Sequence, residues 1–201
     1  MKIYLLGLLL CSTLVKAQYS RFSAGLISGC SNNMFVGPHE DKLFNRPVTN
    51  MNNDVGIRAG LYVSRPLFRK KVEGRIEFLY FQKGIQLRNN GYFYDIDMTL
   101  RINVIEVPVV FIAPVGRYHK VGFGVYSERL WNIKWDETVS QDLMHKPFRN
   151  IGAGLTSRYW YHLMENIYFT VGFQQSSISV VNIPKFKAYH RNILVGLEYK
   201  F

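Results

Sequence analysis

Alternation with a period of two runs through this chain, and it narrows what the chain can become more than any other property. The closing residues, RNILVGLEYKF, show it most clearly. Ile193, Val195, Leu197, Tyr199 and Phe201 are apolar or aromatic, and Leu194, Gly196, Glu198 and Lys200 stand between them. Successive side chains of a β-strand point to opposite faces, so such a segment reads as a strand with two different surfaces.

The pattern recurs upstream. In 53–66, Val55, Ile57, Ala59, Leu61 and Val63 alternate with Gly56, Arg58, Gly60, Tyr62 and Ser64. In 71–84, Val72, Gly74, Ile76, Phe78 and Tyr80 alternate with Glu73, Arg75, Glu77, Leu79 and Phe81. Segments 99–112, 119–131, 149–163 and 166–179 behave alike, and 20–29 is a fainter first strand. Within 99–112 the phase slips near Val104 and Ile105, which predicts a bulge. Past the N-terminus no run of about 18 apolar residues offers a membrane-spanning helix.

These segments make eight strands, and an even number of antiparallel strands can close and leave no edge. The connections differ by end. Those at 30–52, 86–98, 132–148 and 180–191 are long, whereas LFRKK, APVGRY and LMEN are short. Long connections at one end and tight turns at the other are the pattern of outer-membrane barrels, and predict extracellular loops with both termini periplasmic.

Face polarity sets the orientation of the wall. The less apolar rows carry Arg58, Glu73, Arg75, Glu77, Glu106, Arg158, Glu198 and Lys200, four of each sign, among many glycines such as Gly56, Gly60, Gly122, Gly124, Gly152 and Gly154. Glycine on a solvent-exposed strand face weakens it for no gain, but in a narrow lumen it makes room for long neighbours. The expected fold is therefore all-β: an eight-stranded antiparallel transmembrane barrel, an up-and-down meander with a polar lumen and an apolar outer face. Aromatics, 15% of the chain, fit interfacial belts. Tyr118, Tyr161, Phe169, Tyr199 and Phe201 fall at the periplasmic end, and Trp131 and Trp135 at the other. An eight-stranded interior is just wide enough to be filled by side chains, which favours a salt-bridged plug over an ion path.

The N-terminus reads as an export signal. MKIYLLGLLLCSTLVKA has a cation at Lys2, a short apolar run, and Val15 and Ala17 at the positions a signal peptidase reads. The expected domains are a cleaved leader, 1–17, and a barrel, 18–201. Cys11 leaves with the leader, and Leu10 before it does not suit lipoprotein processing. Cys30 then stands alone, which excludes an internal disulfide and a cysteine-built zinc site.

The order of segments resembles the PorT-like outer-membrane β-barrel family of Bacteroidetes. VEGRIEFLYFQKG, VIEVPVVF, VGFGVYSERL, NIGAGLTSRYWY and VGLEYKF carry the resemblance, with Glu106–Val107–Pro108 the most specific step. The first strand and the FRN before the glycine strand depart from the family's pattern. The resemblance implies an eight-stranded barrel in the cell envelope, with a link in some relatives to secretion or gliding machinery. The terminal aromatics Tyr199 and Phe201 likewise resemble the signal that barrel-insertion machinery reads.

Catalytic signals are weak. His39, His119, His145, His162 and His190 fall at turns and loops, and no serine and acid accompany them at a spacing that favours a nucleophilic triad. PHED, at 38–41, is the only cluster of metal-ligand types, and no glycine-rich phosphate loop is present. No catalytic, metal or cofactor site is expected. The formal charge of +11 is scattered over turns and loops, which suits anionic lipid head groups or lipopolysaccharide better than nucleic acid. The expected role is non-enzymatic: a structural or interaction component of the envelope whose long first loop, CSNNMFVGPHEDKLFNRPVTNMNN, meets a partner. A narrow small-solute channel is the alternative, and a soluble ligand-binding barrel a weaker third reading.

Overall fold

The computed structural model describes residues 22–36, 50–67, 72–91, 94–135, 150–178 and 189–201; for 35–36, 50–54, 84–100 and 133–135 it is the backbone that is described. Eight strands follow one another: β1 (Ser23–Val36), β2 (Asn50–Leu67), β3 (Val72–Gly91), β4 (Tyr94–Pro114), β5 (His119–Trp135), β6 (Ile151–Met164), β7 (Ile167–Ser176) and β8 (Tyr189–Lys200). Each pairs antiparallel with the next, and β8 pairs back onto β1 from Gly25↔Lys200 to Val36↔Tyr189, so the sheet is a closed barrel. Closure satisfies every strand's ladder without an edge, as a wall in hydrocarbon requires.

The alternation of the sequence becomes the two surfaces of this wall. Phe78, Phe111, Phe123, Val125, Leu155, Ile193 and Leu197 are exposed on the outside. Arg58, Arg75, Glu77, Glu106, Arg158 and Glu198 are buried inside. This is the inverse of a soluble barrel, whose core would hold the aliphatic row.

Three expectations need correction. The connection placed at 86–98 is instead a ladder: β3 and β4 pair without interruption from Lys83↔Ile102 to Gly91↔Tyr94, and residues 92–93 lie outside the described set. The other long connections are shorter than expected for the same reason, since 30–36, 50–52, 132–135 and 189–191 are strand. What remains of them lies outside the described residues, as do 20–21, the leader, His39, His145 and the PHED cluster. The third concerns the bulge. Strand β4 keeps one register with β3 throughout, and the extra residue sits on β5: Val104 faces Leu130, Asn103 faces Asn132, and Trp131 is left between them.

What looked like a phase slip in β4 is a change in the polarity of its faces. Below that level the outward residues Ile105, Val107, Val109 and Phe111 are apolar. Above it Ile102 and Val104 are buried inside, and Asn103 turns outward to accept hydrogen bonds from Tyr80 (2.7 Å) and Gln82 (3.2 Å). Arg129 on β5 and Arg191 on β8 are exposed at a comparable height, with Arg191 donating to Gln175 at 2.6 Å. The apolar band ends there. From Arg191 down to Tyr199 the chain advances about 26 Å along the strand, or about 20 Å along an axis tilted by about 40°, close to the apolar height of an outer-membrane barrel. The lower margin is aromatic. Tyr118, Tyr161, Tyr199 and Phe201 are exposed, and the Tyr159 hydroxyl meets His119 Nδ1 at 2.5 Å.

Candidate functional site

The lumen holds most of the polar chemistry among the described residues, and it is arranged in two storeys. The lower storey lies toward the short turns. Strand β3 contributes Arg75 and Glu77 from one inward row, β2 contributes Arg58, β6 Arg158 and Trp160, and β8 Glu198. One Arg158 nitrogen donates to both Glu77 oxygens at 2.6 Å. Arg58 and Arg75 approach the same carboxylate at 3.7 and 3.9 Å. Arg75 donates to Glu198 at 2.5 Å, and Trp160 Nε1 donates to the other Glu198 oxygen at 2.8 Å. The Arg75 guanidinium also lies 3.9 Å from the centre of the Tyr62 ring, a cation–π stack. At the rim below, Glu73 bridges Arg75 (3.3 Å) and Lys120 (3.5 Å).

The upper storey is built on Lys83, which pairs with Glu128. Beside it Glu106 accepts from Gln174 at 2.7 Å, and Gln174 accepts from Asn192 at 3.4 Å. Apolar and aromatic groups fill the bore between and around the charges. Tyr62, Leu79, Phe81, Ile112, Tyr126 and Trp160 are all buried to within about 2% of complete.

Small residues make this filling possible. A Cβ on Gly154 would lie 2.7 Å from the Tyr126 ring and 2.2 Å from the Gln175 carbonyl oxygen. A Cβ on Gly122 would lie 2.8 Å from the Trp160 ring. The glycine rows are thus the space into which the lumen aromatics lie flat.

The sequence-derived set and the observed network overlap without coinciding. Arg58, Arg75, Glu77, Glu106, Arg158 and Glu198 come together in the bore. Glu73 is a rim residue, 22% exposed. Lys200 is half-buried at the short-turn end, and no ion pair joins it to the network among the described residues. Lys83 and Glu128 take the places given to Lys200 and Glu73, so among the described residues the buried charges still balance: four cations and four carboxylates. Both were legible, since Lys83 follows Phe81 and Glu128 follows Tyr126 on inward rows. Tyr199 and Phe201 lie on the outer face at the lower margin and meet edge to face at 5.6 Å. His190 corrects another expectation. It belongs to β8, not to a loop, it is buried, and its backbone N–H donates to Ser176 Oγ at 2.8 Å.

Chemically the arrangement fills these two levels of the bore with ion pairs and rings.

No protein-family model matches the sequence, and no curated protein does. Among solved structures the chain is similar to Neisserial surface protein A (NspA), with a TM-score of 0.51 and 12% identity over 90% of this chain and 98% of that one. It is also similar to Ail, the attachment invasion locus protein of Yersinia pestis (TM-score 0.49, 10% identity, 90% and 100% covered). The outer membrane protein OprG of Pseudomonas aeruginosa gives a TM-score of 0.48 and 15% identity over 90% and 95%. At such identities the likeness is one of fold. The fold is the closed eight-stranded antiparallel barrel of outer-membrane proteins, here with a charged lumen and an apolar outer face.

Proposed function

We propose that the chain is a non-enzymatic outer-membrane protein, a structural and interaction component of the cell envelope that acts through its ends and not through its bore. One observation carries this reading. A charge-balanced network, Arg58, Arg75 and Arg158 around Glu77 and Glu198 with Lys83 on Glu128 beside Glu106, fills a barrel whose outer wall is apolar. Burial of that much ionic chemistry stabilises a fixed register and leaves no bore for solutes of ordinary size.

In this reading residues 1–17 are removed on export, the short turns and both termini face the periplasm, and the loops face outward. The outer wall meets outer-membrane lipid and lipopolysaccharide, Tyr199 and Phe201 present the barrel to the insertion machinery, and an envelope protein is met through the loops. The resemblance of Glu106–Val107–Pro108 and its neighbouring motifs to PorT-like barrels supports a partner in secretion or gliding machinery.

Three measurements test the proposal. Purified protein in planar bilayers is expected to give no steady current; a reproducible unit conductance would transfer the function to a channel. Crosslinking in intact cells is expected to capture a partner that is lost when residues 37–49 are removed. That deletion leaves the β1–β2 ladder, Ser23↔Ser64 to Asn33↔Asp54, in place. Recovery in the soluble fraction without detergent would overturn the membrane assignment.

A further inference from the structure

The bulge on β5 creates a feature of the outer wall that the lumen does not use. Beyond Arg129↔Ile151 the contact between the two strands runs on to Leu130 N–H, which donates to Asn150 O at 2.8 Å, and β5 continues to Trp135. A concavity of about 590 Å³ opens there, lined by Ile105, Val107, Ser127, Arg129, Trp131 and Ile151. Its carboxylate neighbour, Glu128, is held inside by Lys83.

Ile105 on β4 and Ile151 on β6 flank Arg129 at one register level, and Val107 stands beside Ser127 one step further into the apolar band. Ser127 and Arg129 lie on the outward row of β5, and Trp131, 75% exposed, stands out at the bulge. An arginine on the lipid-facing wall is costly inside hydrocarbon and cheap at the interface, where an anion can meet it. A guanidinium suits phosphate because its donors form a planar fork that a phosphate can engage bidentately. A tryptophan at that level is at home between acyl chains and head groups.

We propose that this concavity is a binding site for one phosphorylated, multiply acylated glycolipid of the outer leaflet. An acyl chain runs past Val107 and Ser127 into the apolar band, and a glucosamine phosphate is held by Arg129 between Ile105 and Ile151, beside Trp131. The charge complementarity of Arg129 with phosphate, at the upper margin of the apolar band, selects this occupant over a protein. The inference rests on the outer-membrane reading and locates the lipid contact on one side of the barrel.

The test uses the full-length protein purified in mild detergent and titrated with bis-phosphorylated lipid A, monitored by native mass spectrometry. One tightly retained lipid is expected. Arg129→Gln should weaken retention about tenfold, and Arg191→Gln, at comparable height three strands away around the barrel, should leave it unchanged. Lipid A stripped of phosphate, and phosphatidylglycerol, should be retained no better than by Arg129→Gln. Equal losses in both variants, or retention unchanged in Arg129→Gln, would overturn the site. Heat-dependent gel migration confirms that each variant is folded. Recovery of the unaltered protein without detergent would instead sink the membrane assignment, so the two failures are distinguishable.

Discussion

At the scale of the residue, Glu77 is the keystone of the lower storey, because three guanidiniums converge on one carboxylate. Glu77→Ala leaves those cations buried against one another. A loss of about 3–5 kcal/mol in the folding free energy measured by urea titration in vesicles is expected. Lys200→Gln at the rim should change the same midpoint by less than about 0.5 kcal/mol. The order of these two outcomes matters more than their size, since both residues lie on inward rows of the sequence and only the bore separates them. Gly154→Val tests the packing rule. The added carbons meet the Tyr126 ring and the Gln175 carbonyl, so the variant should fail to shift to the folded gel band.

At the scale of the element, β8 shows how separable roles share one strand. Its ladder to β1 extends through Lys200, and Phe201 adds one hydrogen bond, from its N–H to Ala24 O at 2.9 Å. Deletion of Phe201 should therefore leave refolding into synthetic vesicles almost unaltered. If Phe201 is read by the insertion machinery, the amount assembled in cells should fall severalfold. Unaltered assembly in cells would remove that role. Strand β4 teaches a different lesson. Its sequence offers apolar residues at Ile102 and Val104 and again at Ile105 and Val107. A bulge and a switch of faces produce the same string of letters. The register decides, because β3 and β4 pair without a shift and the extra residue is Trp131 on β5. Pro108 leaves a mark as well. The β3–β4 ladder runs to Ile76↔Val109 and resumes at Leu79↔Glu106. A proline lacks the N–H that the gap would need.

At the scale of the whole molecule, the decisive property is the direction in which the wall faces. Val125 stands exposed midway along the outward row of β5. Val125→Arg should cost about 2–4 kcal/mol in vesicles, the penalty for a cation near the bilayer midplane. A surface that faced water would accept the same change at almost no cost. The balance of buried charge makes a second statement at this scale. Among the described residues four cations and four carboxylates lie inside the barrel. Raising salt from low to physiological concentration should therefore leave the unfolding midpoint nearly fixed, because buried pairs are screened far less than exposed ones.

Much of this was legible in the chain before any coordinates. Period-two rows of aliphatic residues facing rows of glycine, arginine and glutamate determine that the strands have one oily side and one charged side. Eight such strands with tight turns at one end leave few ways to bury both, and closure is the one that also satisfies the backbone. The sequence could not decide where strands end, because Gly84–Gly91 and Tyr94–Arg101 carry polar residues that suit a loop as well as a ladder outside the membrane. Nor could it decide which charges meet. Arg75 and Glu198 are partners 123 residues apart, and only the shear of the closed sheet brings their rows to the same height. The register of the same sheet, with one extra residue at Trp131, sets Arg129 between Ile105 and Ile151 on the outer wall. Alternation fixes the side of the wall on which a residue lies; height within the wall is a property of the assembled barrel.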